Sequence, residues 1–256
     1  LYAGCKQQAV AESVFIGKYA GCCWSNDDSS ILIGSEAGLK MSGGGKTIAI
    51  GYRAGCCAGV SDGSIFIGRY AGAEACNRAH GSIFIGSNAG NDGGVPGDVT
   101  GDNNIALGTS ALFGFTSGCR NIMIGSSAAS SLTTGYNNIG VGEGALTSGT
   151  VTGYYNVAVG DCAGRCITSG KYNSVFGHRA MGCCGTTTGD CNIAIGNCAG
   201  IKVSTGDLNT LVGSGAGYCL TEGAYNVLLG PYAGRMIIDS NYNIAIGWCA
   251  LNGNGG

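Results

Sequence analysis

The residues able to do chemistry are few in type, and one type is abundant. The chain of 256 residues holds fifteen cysteines, twelve tyrosines and only two histidines. His80 and His178 lie far apart, and neither sits near a recognisable Ser/His/Asp signature, so nucleophilic catalysis has no visible site and no catalytic residue is assigned. His178, Cys183, Cys184, Cys191 and Cys198 are zinc-ligand types, but they lack a paired C-x-x-C spacing. Asp92, Asp98 and Asp102 surround a Gly/Pro-rich stretch that reads as a solvated loop, since the calcium-binding nonapeptide is absent. Gly213-Ser214-Gly215-Ala216-Gly217 is glycine-rich like a phosphate loop, but no helix pattern follows it. No cofactor and no metal are therefore expected. The tyrosines suit either sugar rings or the covering of a sheet edge.

The cysteines point to a compartment. Fifteen of them in a chain with only 11% charged residues suggest an oxidising, extracellular setting. The net charge of −2 and the lack of a basic run give nucleic-acid binding no electrostatic basis. No apolar stretch is long enough to span a membrane as a helix.

Positioning of all these residues is governed by a repeat. The pattern of Asn192-Ile193-Ala194-Ile195-Gly196-Asn197-Cys198-Ala199 (polar, apolar, any, apolar, Gly, any, any, Ala) returns fourteen times, anchored on Gly17, Gly34, Gly51, Gly68, Gly86, Gly108, Gly125, Gly142, Gly160, Gly177, Gly196, Gly213, Gly230 and Gly247. Nine of the thirteen gaps are 17 residues. A fixed short period over the whole chain predicts a solenoid. Its apolar triplets, rich in β-branched residues and bounded by Gly and Asn or Ser, read as short strands; helix is disfavoured by the recurring Gly. The predicted fold is an all-β parallel solenoid, or β-roll, of about 14–15 coils, read as one domain over 1–256. Two repeat variants, 1–90 and 100–256, flank a surface loop at 91–99. Seventeen residues leave room for two short strands per coil, with the Ala column on the second.

Four residues before the anchor the later repeats carry Asn104, Asn121, Asn138, Asn156, Asn173, Asn192, Asn209, Asn226 and Asn243, which are expected to satisfy turn amides and bond to one another as a ladder. Cysteines that fall in equivalent or nearly equivalent positions of adjacent coils are disulfide candidates: Cys5 with Cys22, Cys166 with Cys183, and Cys57 with Cys76. The outer two residues of each triplet are expected to face the core. The middle residue is then expected to face out, as an apolar column for lateral packing through Phe15, Leu32, Phe66, Phe84, Met123, Val175, Leu211 and Leu228.

Units such as Asn192-Ile193-Ala194-Ile195-Gly196 and Asn173-Ser174-Val175-Phe176-Gly177 resemble the repeat of trimeric autotransporter adhesin heads. The longer form, Thr134-Gly135-Tyr136-Asn137-Asn138-Ile139 with Gly142 and Ala145-Leu146, is similar to repeats in phage and viral tail-fibre proteins. The resemblance implies a left-handed β-roll that associates side by side, often as a trimer. The reading that follows is an extracellular structural fibre subunit and not an enzyme. Its partners are other copies of itself, as filament or trimer. Because the chain opens and closes within a repeat, head-to-tail stacking is expected too. The alternative is a surface-binding β-roll acting as an adhesin or binding glycans or ice.

Overall fold

The structure is a computed structural model. It describes residues 3–4, 12–23, 29–41, 45–57, 59, 61–73, 79–91, 93, 100–147, 151–182 and 185–253. The chain forms two compact units, Leu1–Thr134 and Gly135–Gly256. Each is an all-β parallel solenoid with one three-residue strand per coil. The first holds β1 (Val14–Ile16), β2 (Ile31–Ile33), β3 (Ile48–Ile50), β4 (Ile65–Ile67), β5 (Ile83–Ile85), β6 (Ile105–Leu107) and β7 (Ile122–Ile124). The second holds β8 (Ile139–Val141), β9 (Val157–Val159), β10 (Ser174–Phe176), β11 (Ile193–Ile195), β12 (Thr210–Val212), β13 (Val227–Leu229) and β14 (Ile244–Ile246). Within a unit each strand pairs in parallel with the next, and equivalent positions stack: Phe66 on Phe84, Ala194 on Leu211. The fourteen to fifteen expected coils thus become six closed turns between seven strands in each unit.

The remainder of the coil is a run of tight turns, and no second strand occurs among the described residues. The Ala column lies in these turns and is buried, from Ala20 to Ala233. The turns are held by stacking. The amide of Glu36 donates to the Lys18 carbonyl and that of Arg53 to Ser35, 18 residues earlier in each case. These bonds hold non-glycine residues such as Arg53 (φ 54°) and Tyr70 (φ 57°) in the left-handed region, which costs on the order of 1 kcal/mol each. The anchor position is stricter. Gly51 has φ +135°, and a Cβ there would meet the carbonyl oxygen of Gly68 at 2.5 Å. Only glycine fits both the backbone and the approach of the next coil.

The core is filled by compensation between two positions. In several coils a large middle strand residue meets Gly four after the anchor and a small one meets a larger residue: Phe84 with Gly90, but Ala106 with Leu112 and Gly140 with Leu146. Where both are small, as at Ala49 and Gly55, a neighbouring coil's side chain fills the space. A methyl at Gly55 would lie 2.8 Å from the Phe66 ring, so the ring occupies the space the glycine leaves.

This corrects the expected facing of the strands. Leu32, Phe66, Phe84, Met123, Val175, Leu211 and Leu228 are buried core residues, and Phe15 is half-buried beside Gly21. They form no outward column. The physical reason is the period of two: a shift of one residue exchanges the two faces of a strand, and a triplet apolar at all three positions gives no polarity to fix the choice.

Candidate functional site

The outward face is made by the first and third residues of each triplet. In the first unit these are twelve isoleucines with Val14 and Leu107, none of them fully buried. In the second unit Ser174 and Thr210 interrupt an otherwise apolar set. Ile16 keeps 57% of its surface exposed and Ile195 40%. With coils about 4.8 Å apart and two outward columns spanning about 10 Å, seven rungs give an apolar footprint on the order of 350 Å² per unit. That falls within the roughly 300–600 Å² of the largest apolar patch on a typical soluble monomer, which is often functional. The outward members of each triplet are the first and third, and not the middle residue expected from the sequence.

Beneath this face runs a polar ladder that fixes its register. In the second unit, the backbone amide and side-chain Nδ2 of Asn192 both donate to Oδ1 of Asn173, at 2.9 and 3.1 Å. The same Nδ2 donates to the Gly206 carbonyl at 2.8 Å. The arrangement repeats through Asn138, Asn156, Asn173, Asn192, Asn209 and Asn226, with Asn243 partly buried at the last rung. Asn104 and Asn121 form one such rung in the first unit. There the earlier rungs use hydroxyls: Thr47 N–H donates to Ser30 Oγ at 3.1 Å, and Asn104 N–H to Ser82 Oγ at 3.1 Å.

Other candidate sites resolve as follows. Cys5, Cys76 and Cys183 lie outside the described residues, as do Cys184, Asp92 and Asp98. No two described cysteines are joined by a disulfide; Cys22 is disulfide-bonded, and the other half of that bond is not among the described residues. Cys57 and Cys166 carry no disulfide, so the pairings expected with Cys76 and Cys183 are not formed; the expected partner of Cys22, Cys5, lies outside the described residues. Cys56 and Cys57 bring their sulfurs to 3.5 Å, and the Cys56 thiol donates to the Ala73 carbonyl. The contact with Cys57, and then burial, push the Cys56 thiol far above its ordinary range, so it is a packed group and a poor nucleophile.

Among the described residues no group of three or more His, Cys, Asp or Glu is placed to hold a metal. His80 accepts from the Asp62 amide at Nδ1, which leaves the proton of the neutral ring on Nε2, and its own amide donates to Asp102. His178 lies in the other unit, 3.6 Å from Asp161, with both side chains about half exposed. The Gly213–Gly217 segment is a strand-end turn whose amides stack on neighbouring coils. A cavity of about 290 Å³ on the second unit is lined by Cys166, Thr187, Lys202, Val203, Ser204 and Thr221 among others. Three of its hydroxyls are engaged within the fold, Thr187 donating to Val203, Ser204 to Thr221 and Thr221 to Ile238. No described helix is long and apolar enough to cross a membrane.

Comparison with protein-family models, with curated proteins and with solved structures finds no match to this chain.

Proposed function

We propose that this chain is an extracellular structural protein, the subunit of a self-assembling fibre that packs laterally through the paired aliphatic columns of its sheet face. The observation that carries the reading is the exposure of those columns on every rung, chiefly as isoleucine and valine. The occupant is a second copy. Two such faces are flat, equally spaced and uncharged, and their β-branched side chains interdigitate as in a dry sheet-on-sheet contact. The footprint of one unit is below the roughly 800 Å² per partner of a standard stable interface, so the contact gains strength by repetition along many coils. That favours polymers over an isolated dimer. Head-to-tail stacking extends the same logic. The Asn ladder and the inter-coil amide bonds keep one register, and a coil of another copy meets the same donors and acceptors. The cysteine content supports the oxidising setting. Ice or glycan binding is less well supported by the sheet face, whose outward triplet positions carry only Ser174 and Thr210 as hydroxyls.

The test is a set of non-adjacent charges on the face: Ile48→Lys, Ile83→Lys and Ile193→Lys together. These side chains are partly exposed, so the fold is expected to keep its far-UV dichroism and thermal transition. Sedimentable assemblies are expected to disappear at protein concentrations where the parent chain forms them. Normal assembly of the triple variant, or a parent chain that stays monomeric throughout, would remove the reading.

A further inference from the structure

The second unit carries a cluster of tyrosines that the sheet face does not require. Tyr136 and Tyr154 stack with ring centroids 4.7 Å apart and planes 9° from parallel. Tyr155 and Tyr172, on consecutive coils, stack at 5.4 Å and 5°. The two stacks meet edge to face, with Tyr154 at 5.8 Å from Tyr155 and 5.7 Å from Tyr172. Tyr155 is 47% exposed and Tyr172 52%, so a small oxidant or a protein surface reaches both.

We propose that this cluster is a site of oxidative phenol coupling, in which Tyr155 and Tyr172 join as a dityrosine that staples adjacent coils. Each phenol gives one electron to a one-electron oxidant, such as a haem peroxidase turning over hydrogen peroxide, and one proton to water. The two phenoxyl radicals form a carbon–carbon bond between ring carbons ortho to oxygen. The hydrogens on those carbons move to the oxygens, restoring both phenols. The protein loses two hydrogen atoms in all, and one peroxide is reduced to two waters. The stacked rings on neighbouring rungs hold the two phenols in contact, and rotation of the side chains brings their ortho carbons together.

The geometry also selects among the four rings. The Lys171 ammonium lies 5.1 Å from the centroid of Tyr154, and a cation there opposes loss of an electron from that ring. The lysine's own affinity for its proton is raised, first by its hydrogen bond to Tyr154, so it stays charged. Tyr155 and Tyr172 have no such cation over them among the described contacts. Burial, and then Tyr154, hold the Tyr136 phenol above its ordinary range, which keeps it in the neutral form. A link within one chain does not require assembly, so this proposal and the fibre reading stand or fall separately.

The test uses the full chain, dilute, with horseradish-type peroxidase and hydrogen peroxide. Trypsin separates the two residues, since Tyr155 lies on the peptide 121–165 and Tyr172 on 172–179. The expected result is dityrosine fluorescence, a chain that runs as a monomer on a denaturing gel, and these two peptides joined with a loss of two hydrogens. Tyr155→Phe and Tyr172→Phe, singly, keep the ring packing and are each expected to abolish the joined pair. Tyr218 and Tyr232, which share the Arg235 guanidinium at 5.8 and 5.2 Å, serve as internal controls. Coupling that falls on those two, coupling only between chains, or no coupling at all would overturn the proposal.

Discussion

Replacing Phe84 by aspartate is expected to leave the first unit without a cooperative folded state. The ring is fully buried, lies 5.6 Å from both Phe66 and Phe115, and fills the space beside Gly90. Truncating a buried Phe costs about 3–5 kcal/mol, and a carboxylate left there with no partner adds several more. A domain's whole stability is about 5–15 kcal/mol. In a solenoid the damage falls on one coil and both of its interfaces, so neighbours cannot bypass it. The measurement is proteolysis with far-UV dichroism, with cleavage expected across β4–β6. The contrast is with Ile83→Lys, one residue away, which is expected to change assembly and spare the fold. If Phe84→Asp kept the dichroism and abolished only association, the facing of every strand would have to be reversed.

A second large effect is expected in the other unit from Asn192→Leu, which keeps the volume and removes the polar atoms. It deletes the Nδ2 bonds to Asn173 and Gly206 and the acceptor used by Asn209 through both its amide and its Nδ2, each at 3.0 Å. The Gly206 carbonyl and the Asn209 donors are left without these partners in a buried row. Asn209 Nδ2 keeps its bond to the Gly223 carbonyl, so two groups are stranded, and at about 1–3 kcal/mol each the loss is on the order of 2–6 kcal/mol. The same change at Asn243, whose rung is partly open to water, is expected to cost less, because water takes over the freed groups. Denaturant unfolding of both variants measures the difference; equal midpoints would show that the ladder does not carry the stability assigned to it.

Much of this architecture is legible in the residues themselves. The period, the strand triplets and the anchor glycines follow from spacing and from the conformational reach of Gly. What was not legible was facing. Ile65-Phe66-Ile67 is apolar throughout, so the alternation that normally orients a strand is silent. A partial cue is volumetric: Phe84 is matched by Gly90 and Gly140 by Leu146, but Ala49 with Gly55 and Ala194 with Gly200 break the pattern, so the cue is not readable along the whole chain. A second cue is Asn192, whose side chain lies buried on the same side of the strand as Ala194. The left-handed conformations at Tyr70, Arg53, Cys198 and Leu208 were also hidden, because composition assigns that region to Gly, Asn and Asp. Here the bonds between coils, and not the local preference of the residue, decide it. The tyrosine cluster is visible in the sequence as Tyr136, Tyr154, Tyr155 and Tyr172, but the ring geometry that makes it reactive appears only when the coils are stacked.

The central claim is that the isoleucine and valine columns meet those of another copy. Electron cryo-microscopy of assembled material tests it most directly. The account predicts filaments in which facing sheets lie about 10 Å apart, with Ile48, Ile65 and Ile83 of one copy interleaved with the equivalent columns of its neighbour and no water between them. Filaments that leave these columns facing solvent, or particles that remain single chains at every concentration, would contradict it.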